Sequence, residues 1–436
     1  VYEFAMKYGE EVDLPYIETL AQCFYPDDKE RIIPTSYDDW MRKQVVPAAT
    51  SYYYYWTDPE LVFADWDPRG VHIKGQNPRV VRITPDGDYV EGSEKESWVA
   101  YRYYPDGDGA SPEVVNGMQD QNKQLYLDAA RFFQEFPEEN PMDPRTGRPM
   151  FWDSKCSNFA NLTQEFFCAD RAVRASGFDL SGRYGAQGQY ATNYAPVDLN
   201  TLLFQMGSDL LLMYHRFGSD YHSEEESKVI REQIRERVEN ARFVINNLLW
   251  QDEGEGGSFR DLRIHKIGTA PKKTYAYSTT FVPLWAKGLI NDPEKRKRVL
   301  RGAAQTEVVT QDQIFHKADD TVVWIKDNPG EIFRQVDGAG EFSKIKAGST
   351  SLISLMKSEQ PWSYGIPTSS MHSGNQWDFP YSWAPIQHFA VEGLWETAIK
   401  DGGEALQAVR NIIQGWVDAV DIVFAQSGNL VEKYTS

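Results

Sequence analysis

The sequence predicts an all-α fold, an α/α-barrel of antiparallel helix hairpins with short β-hairpins and long loops at one end. Three observations predict it. From about Asp120 onward, apolar residues recur at helical spacing in one segment after another. The strand-like stretches are short and irregular and fall between helix pairs, unlike the long apolar strands of an α/β fold. No linker, short repeat or low-complexity segment divides the 436 residues, a length that can bury one large core, so residues 1–436 read as a single domain.

Taken in order, Tyr2–Cys23 and Asp38–Trp56 carry helical apolar spacing, the second ending in the aromatic run from Tyr52 to Trp56. Val80–Val90 reads as a β-hairpin turning at Asp86-Gly87. Tyr101–Pro112 is a loop full of Asp, Gly and Pro. Its Asp106-Gly107-Asp108-Gly109 faintly resembles a calcium loop, but the carboxylates that follow do not complete that pattern. Helices are then expected over Lys123–Phe136, Ser157–Ser176, Asp198–Phe217, Ser223–Trp250, Thr279–Ile290, Pro293–Thr306, Ile386–Asp401 and Gly403–Gln426. The fourth of these shows the reason most clearly: Val229, Ile230, Ile234, Val238, Ala241, Val244, Ile245 and Leu248 share one face. Asp292-Pro293 and Glu404 mark helix starts, and Gly402-Gly403 breaks the helix before it. Gly257–Arg263 is a short strand between helix pairs.

Composition narrows the function. Aromatic residues make up 14% of the chain, with 13 Trp, 24 Tyr and 22 Phe. Carbohydrate clefts use such side chains, because pyranose C–H faces stack on rings while polar groups fix the hydroxyls. A large aromatic core explains the same number. The net charge of −19 argues against nucleic acid and anionic lipid as partners, since both require clustered Lys and Arg. Three cysteines, Cys23, Cys156 and Cys168, make no disulfide framework, and no Cys/His spacing suggests zinc. Asn161-Leu162-Thr163 is a glycosylation sequon of a kind that arises often by chance. No signal peptide, lipidation motif or membrane-inserting run is visible. The compartment stays open.

Two loops concentrate candidate chemistry. Glycoside hydrolysis needs two carboxyl groups flanking the scissile bond. In Ala175-Ser176-Gly177-Phe178-Asp179-Leu180-Ser181-Gly182-Arg183-Tyr184, Gly177 can release a helix and aim Asp179 from a loop that aromatics shield, an environment suited to a general acid. Arg183 would orient neighbouring groups or pair with an acid. An ordinary turn or capping Asp accounts for the same residues. In Gln376-Trp377-Asp378-Phe379-Pro380-Tyr381-Ser382-Trp383-Ala384-Pro385, two Trp side chains bracket Asp378 before a helix. Stacking surface beside amide and carboxylate suits sugar recognition; an aromatic-proline corner with Asp378 as a helix cap is the plainer alternative.

The second loop resembles the C-terminal signature of the trehalases, glycoside hydrolase family 37, and Ala175–Asp179 is similar to the family's acid-bearing motif. Tyr101-Arg102-Tyr103-Tyr104 leading to Pro112-Glu113, Pro196–Asn200, Ser278–Phe281 with Leu284-Trp285-Ala286, and Val431-Glu432-Lys433-Tyr434 resemble further family landmarks in the same order, and Asp170–Arg174 resembles the neutral-trehalase branch. The resemblance implies an (α/α)6 barrel (toroid), inverting hydrolysis of trehalose, and no metal or organic cofactor. It makes Asp179 the general acid and puts Glu113, Gly177, Arg183, Gln376, Trp377, Asp378 and Trp383 around the sugar.

The departures are informative. The family's Pro-Gly-Gly-Arg-Phe-type and Ser-Gln-Pro-Pro-type segments are not found before Ala175. Its catalytic base, a Glu in a glycine-rich stretch after the Glu-Lys-Tyr landmark, would fall beyond Ser436. The chain, which begins at Val1, is therefore expected to be incomplete at both ends. Ala175, Phe178 and Gly182 stand where Glu, Trp and Ser are common, Tyr381-Ser382 replaces a Gly-containing turn, and Ser111 stands where some members have Arg. Two rival readings remain. One is a sugar-binding barrel without a base, with trehalose affinity and no turnover. The other is an (α/α)-barrel glucosidase for another disaccharide.

Overall fold

The computed structural model describes residues 36–60, 77–84, 97–105, 107–111, 114, 120–144, 146–179, 181–220, 222–264, 277–304, 323–325, 331–336, 341–346, 365–369, 375–378, 381–431 and 433–435. The helix expected over Tyr2–Cys23, the Asp86-Gly87 turn, Asp106 and Glu113 lie outside the described residues.

The chain is mostly helical. Helix α1 is assembled from Tyr37–Trp40, a π-helical turn at Met41–Val45, and Val46–Thr57. Strands β1 (Val80–Ile83) and β2 (Trp98–Tyr101) follow, then α2 (Asp120–Glu135), α3 (Gln164–Ser176), β3 (Tyr194–Ala195), α4 (Val197–Arg216) and α5 (Glu224–Phe243). A π-helical turn at Val244–Leu248 leads into β4 (Trp250–Glu253), β5 (Gly256–Phe259) and β6 (Leu262–Arg263). Next come α6 (Val282–Trp285), α7 (Pro293–Ala304) and an antiparallel sheet of β7 (Val323–Ile325), β8 (Glu331–Val336) and β9 (Glu341–Lys346). The described residues end with β10 (Tyr381–Trp383), α8 (Ala384–Asp401), α9 (Gly403–Ser427) and β11 (Lys433–Thr435).

Helix pairs α4–α5 and α8–α9 pack along their lengths across short connections, the hairpin unit from which an α/α toroid is built. Helix α4 also packs on α1, and α6 packs on α8. The apolar face read from the α5 sequence is the one that is buried: Ile234, Val238 and Ala241 are nearly inaccessible, while Val229 at the helix start stays exposed. A capping box starts α5, with Ser223 accepting from Glu226 N–H and the Glu226 carboxylate accepting from Ser223 N–H at 2.8 Å.

Three expected elements come out differently. The partner of Val80–Ile83 is Trp98–Tyr101, paired from Val80↔Tyr101 to Ile83↔Trp98, so the hairpin closes over a longer connection than Asp86-Gly87 alone implies. Ser157–Thr163 is not helical: the Asn158 carboxamide accepts from Ala160 and Leu162 N–H at 3.2 Å each, and α3 starts from an N-cap at Thr163. A short amide side chain offers the backbone a competing partner there. The segment Thr279–Ile290 is helical only through Trp285. Beyond it, the end of α5 and the π-helical turn after it capture the chain: Arg242 donates to the Gly288 carbonyl, and Asn246 donates to that of Leu289 at 3.2 Å.

Much of the aromatic content is core. Phe133 stacks on Phe151 (5.4 Å) and meets Phe166 edge-on (5.7 Å), and all three are buried with Tyr126, Phe132 and Phe167. Such pairs add to the hydrophobic gain of burying them.

Helix α4 depends on a close approach at Gly207. A Cβ there would lie 2.7 Å from both Tyr53 Oη on α1 and Val238 Cγ2 on α5. Alanine is the better helix former by about 1 kcal/mol, but overpacking a filled core costs about 1–3 kcal/mol. Gly207→Ala is therefore expected to lower stability by up to about 2 kcal/mol in urea unfolding; a gain would show that this contact is loose.

Candidate active site

Helix α3 sets up the first loop. Thr163 accepts from Phe166 N–H at its start, and Gly177 ends it in the left-handed conformation (φ 76°), donating its N–H to the Arg174 carbonyl at 3.0 Å. Nothing lies within 4 Å of where a Gly177 side chain would begin, so backbone conformation rather than space reserves the position for glycine. The reversed chain delivers Phe178 inward and leaves the Asp179 side chain 38% exposed, with Oδ2 3.9 Å from Arg174 Nη1. Arg174 is held in turn by Asp170, Nε to Oδ2 at 3.2 Å, and Asp170 accepts from Tyr126 Oη at 2.8 Å.

The second loop meets the first from the far end of the chain. Trp377 and Trp383 stack face to face (3.9 Å, 5° between planes), and Phe178 packs against Trp377 at 5.0 Å. Gln376 donates through Nε2 to the Asp179 carbonyl. Trp383 Nε1 donates to the Gln376 carbonyl at 2.8 Å. Strand β11 pairs with β10 and sets Lys433 opposite Trp383; Lys433 Nζ donates to Gln376 Oε1 at 2.8 Å.

Asp378 faces inward. It is fully buried, accepting from Gly182 N–H (2.8 Å), Ser369 Oγ (2.9 Å) and Ser181 Oγ (3.4 Å). Three donors compensate a carboxylate for water that it cannot reach. Its position makes Asp378 the tie between the two loops.

Arg183 lies behind the loop, with no side-chain exposure. Its Nε and Nη2 form a two-point contact with Asp261 at 2.7 Å each, and Nη2 reaches Asp198 Oδ1 at 2.5 Å. Burial alone would push the guanidinium pKa down; Asp198 and Asp261 outweigh it and hold the pKa well above the usual arginine value. Asp261 also accepts from Val197 N–H at 2.9 Å, and Tyr103 Oη donates to Asp198 at 3.3 Å. Burial, and then the Asp198 charge, push the Tyr103 hydroxyl pKa well up, so it stays a donor.

The structure thus brings together Gly177, Asp179, Gln376, Trp377, Asp378 and Trp383, and sets Arg183 in the layer beneath. Asp261 was not singled out from sequence, although an acid directly before Leu262, in a segment read as a strand between helix pairs, is a charge that needs a partner when buried. Lys433 was read only as part of a landmark. Among the described residues, no group of three or more His, Cys, Asp or Glu is arranged to hold a metal ion, and no helix is long and apolar enough to cross a membrane.

A family model described as trehalase matches residues 153–322 and 340–436, more than half of the chain and both loops of the site. The chain belongs to the trehalase family. Human trehalase is 23% identical over 272 residues, covering 61% of this chain and 35% of that protein. A probable trehalase of rice (Oryza sativa subsp. japonica) is 25% identical over 287 residues, 64% of this chain and 42% of its own length. The cytosolic neutral trehalase of Beauveria bassiana is 25% identical over 353 residues, covering 76% of this chain and 37% of its own. Among solved structures, neutral trehalase Nth1 from Saccharomyces cerevisiae aligns at 20% identity with a TM-score of 0.44, over 77% of this chain and 48% of that one. The chain therefore spans less than half the length of these relatives.

The layer beneath the site has a testable energetic role. Removing a buried acceptor leaves its donors unsatisfied, at a cost of about 1–3 kcal/mol. Asp261→Ala is expected to destabilise the fold by about 2–3 kcal/mol in urea unfolding, because Arg183 Nε and the Val197 N–H both lose their acceptor while Asp198 still pairs the guanidinium. A loss below about 1 kcal/mol, the scale of a surface pair, would remove the network from this role.

Proposed function

We propose that the chain carries the acid side of an inverting α,α-trehalase site, which hydrolyses α,α-trehalose to two glucose molecules. Asp179 is the general acid and gives its proton to the glycosidic oxygen as that bond breaks. Water attacks the anomeric carbon from the opposite face and loses its proton to a second carboxylate, about 6.5–9.5 Å from the first in an inverting enzyme. By the family resemblance, that base follows the Glu432-Lys433-Tyr434 landmark. Gln376 and Trp377 border the sugar site together with Gly177, and Trp383, itself buried, backs the Trp377 ring. Asp378 and Arg183 hold the loops that present it, and Glu113 is assigned to the same site on the resemblance alone. Residues 1–436 form one glycosidase domain in this reading, supported by a hydrophobic core that runs, among the described residues, from Met41 to Ile412.

The observation that carries the reading is the meeting of the two family motifs. An exposed carboxyl at Asp179 and a stacked pair of indoles come from loops 197 residues apart and are tied by the Gln376 amide. Aromatic faces receive the C–H faces of a pyranose. Closing such a site over a sugar excludes water, which favours the neutral, proton-bearing form of a carboxyl.

Asp179→Asn keeps shape and removes the proton. In the full-length protein it is expected to lower kcat on trehalose by at least about 10²-fold, the usual scale for losing general acid catalysis, with no change in melting temperature. Glucose release measures the first and calorimetry the second. Turnover that survives the substitution would assign the acid to another residue.

A further inference from the structure

Lys433 stands at the junction of the two loops. It lies on the short strand β11, opposite Trp383 on β10. Its ammonium is 2.8 Å from Gln376 Oε1, with the ring centroids of Tyr381 and Trp383 at 5.0 and 5.5 Å. The other end of the same amide donates to the Asp179 backbone carbonyl. A primary amide can face either way, since its oxygen and its NH2 have nearly the same shape. Here the choice is forced from both sides: an ammonium can only donate and a carbonyl can only accept. A flipped Gln376 would oppose NH2 to ammonium and oxygen to oxygen, losing both bonds at once.

We propose that Lys433 is a positioning residue for the acid loop: it fixes the orientation of the Gln376 amide and, through it, the backbone at Asp179. The charged donor makes this a stronger bond than a neutral one, and the flanking rings favour a cation at that point. The indole Nε1–H of Trp383 holds the Gln376 main chain, so the amide pivots about a fixed backbone. The consequence for turnover rests on the reading of Asp179 as general acid, whereas the backbone tie does not depend on it.

The test separates the two. Lys433→Met keeps the stem and removes the donor, Lys433→Arg keeps a cationic donor, and Gln376→Glu keeps an acceptor for Lys433 while removing the donor to Asp179. Amide hydrogen exchange of peptides covering residues 178–183 is followed by mass spectrometry in each variant and in Lys433→Met/Gln376→Glu. Phe178, Gly182 and Arg183 N–H, which donate to Ser176 Oγ, Asp378 and Ser181 Oγ, serve as reporters. Lys433→Met and Gln376→Glu are each expected to speed exchange there by about tenfold, the scale of one charge-assisted bond. The double variant should exchange no faster than the quicker single one, and Lys433→Arg should remain within about threefold of the parent. Unchanged exchange in Lys433→Met, or effects that multiply in the double variant, would overturn the proposal; so would a failure of Lys433→Arg to restore protection while the protein stays folded by far-ultraviolet circular dichroism. In the full-length protein, Lys433→Met should lower kcat on trehalose about tenfold with KM changed less than twofold. Absence of trehalose turnover in the parent would count against the proposed function and leave the tie to be judged by exchange.

Discussion

The site is organised by one buried cation. Arg183 binds two carboxylates that belong to the structural frame: Asp198 in the first turn of α4 and Asp261 just before β6. Both acids sit at the N-terminal end of a 20-residue helix, where unpaired N–H groups and the aligned peptide dipoles favour negative charge. Asp261 takes up one of those N–H groups directly, that of Val197. A helix start therefore steadies two acids, the acids steady a guanidinium, and the guanidinium fixes the chain just after Asp179. Without its partners the same cation would destabilise the fold, since a buried charge is tolerated only when it is paired.

Above this layer the two loops divide their labour. Asp378 is closed to solvent and spends its acceptors on Gly182, Ser181 and Ser369. Asp179 is left open, with Arg174 at its edge. Two carboxylates of the same intrinsic chemistry are separated by environment: one is saturated with donors and made structural, the other is presented. Phe178 of the first loop packs on the stacked indoles of the second.

The sequence was most legible where local physics decides. The capping box at Ser223 and Glu226, the apolar stripe of α5 and the left-handed stop at Gly177 are each dictated by residues within a turn or two. It was less legible where a distant partner decides. Ser157–Thr163 continues the apolar spacing of α3 (Phe159, Leu162, Phe166) but has an Asn side chain that occupies two of its amides, and Lys287–Ile290 leaves the helical path where the end of α5 and the turn after it bind its carbonyls. The loop around Asp378 could be recognised as special from its tryptophans and proline. Which way the carboxylate turns depends on Gly182, 196 residues earlier. Asp261 and Lys433 escaped notice because their partners lie far off in sequence.

That separation bears on the order in which the molecule is built. The hairpins α4–α5 and α8–α9 join residues close along the chain, and such contacts form early because little loop entropy opposes them. The ties from Gln376 to Asp179 and from Asp378 to Gly182 each close a loop of nearly 200 residues. Their closure is opposed by more chain entropy than that of the hairpins, so regained helical content after unfolding is not by itself a measure of regained contacts around Asp179.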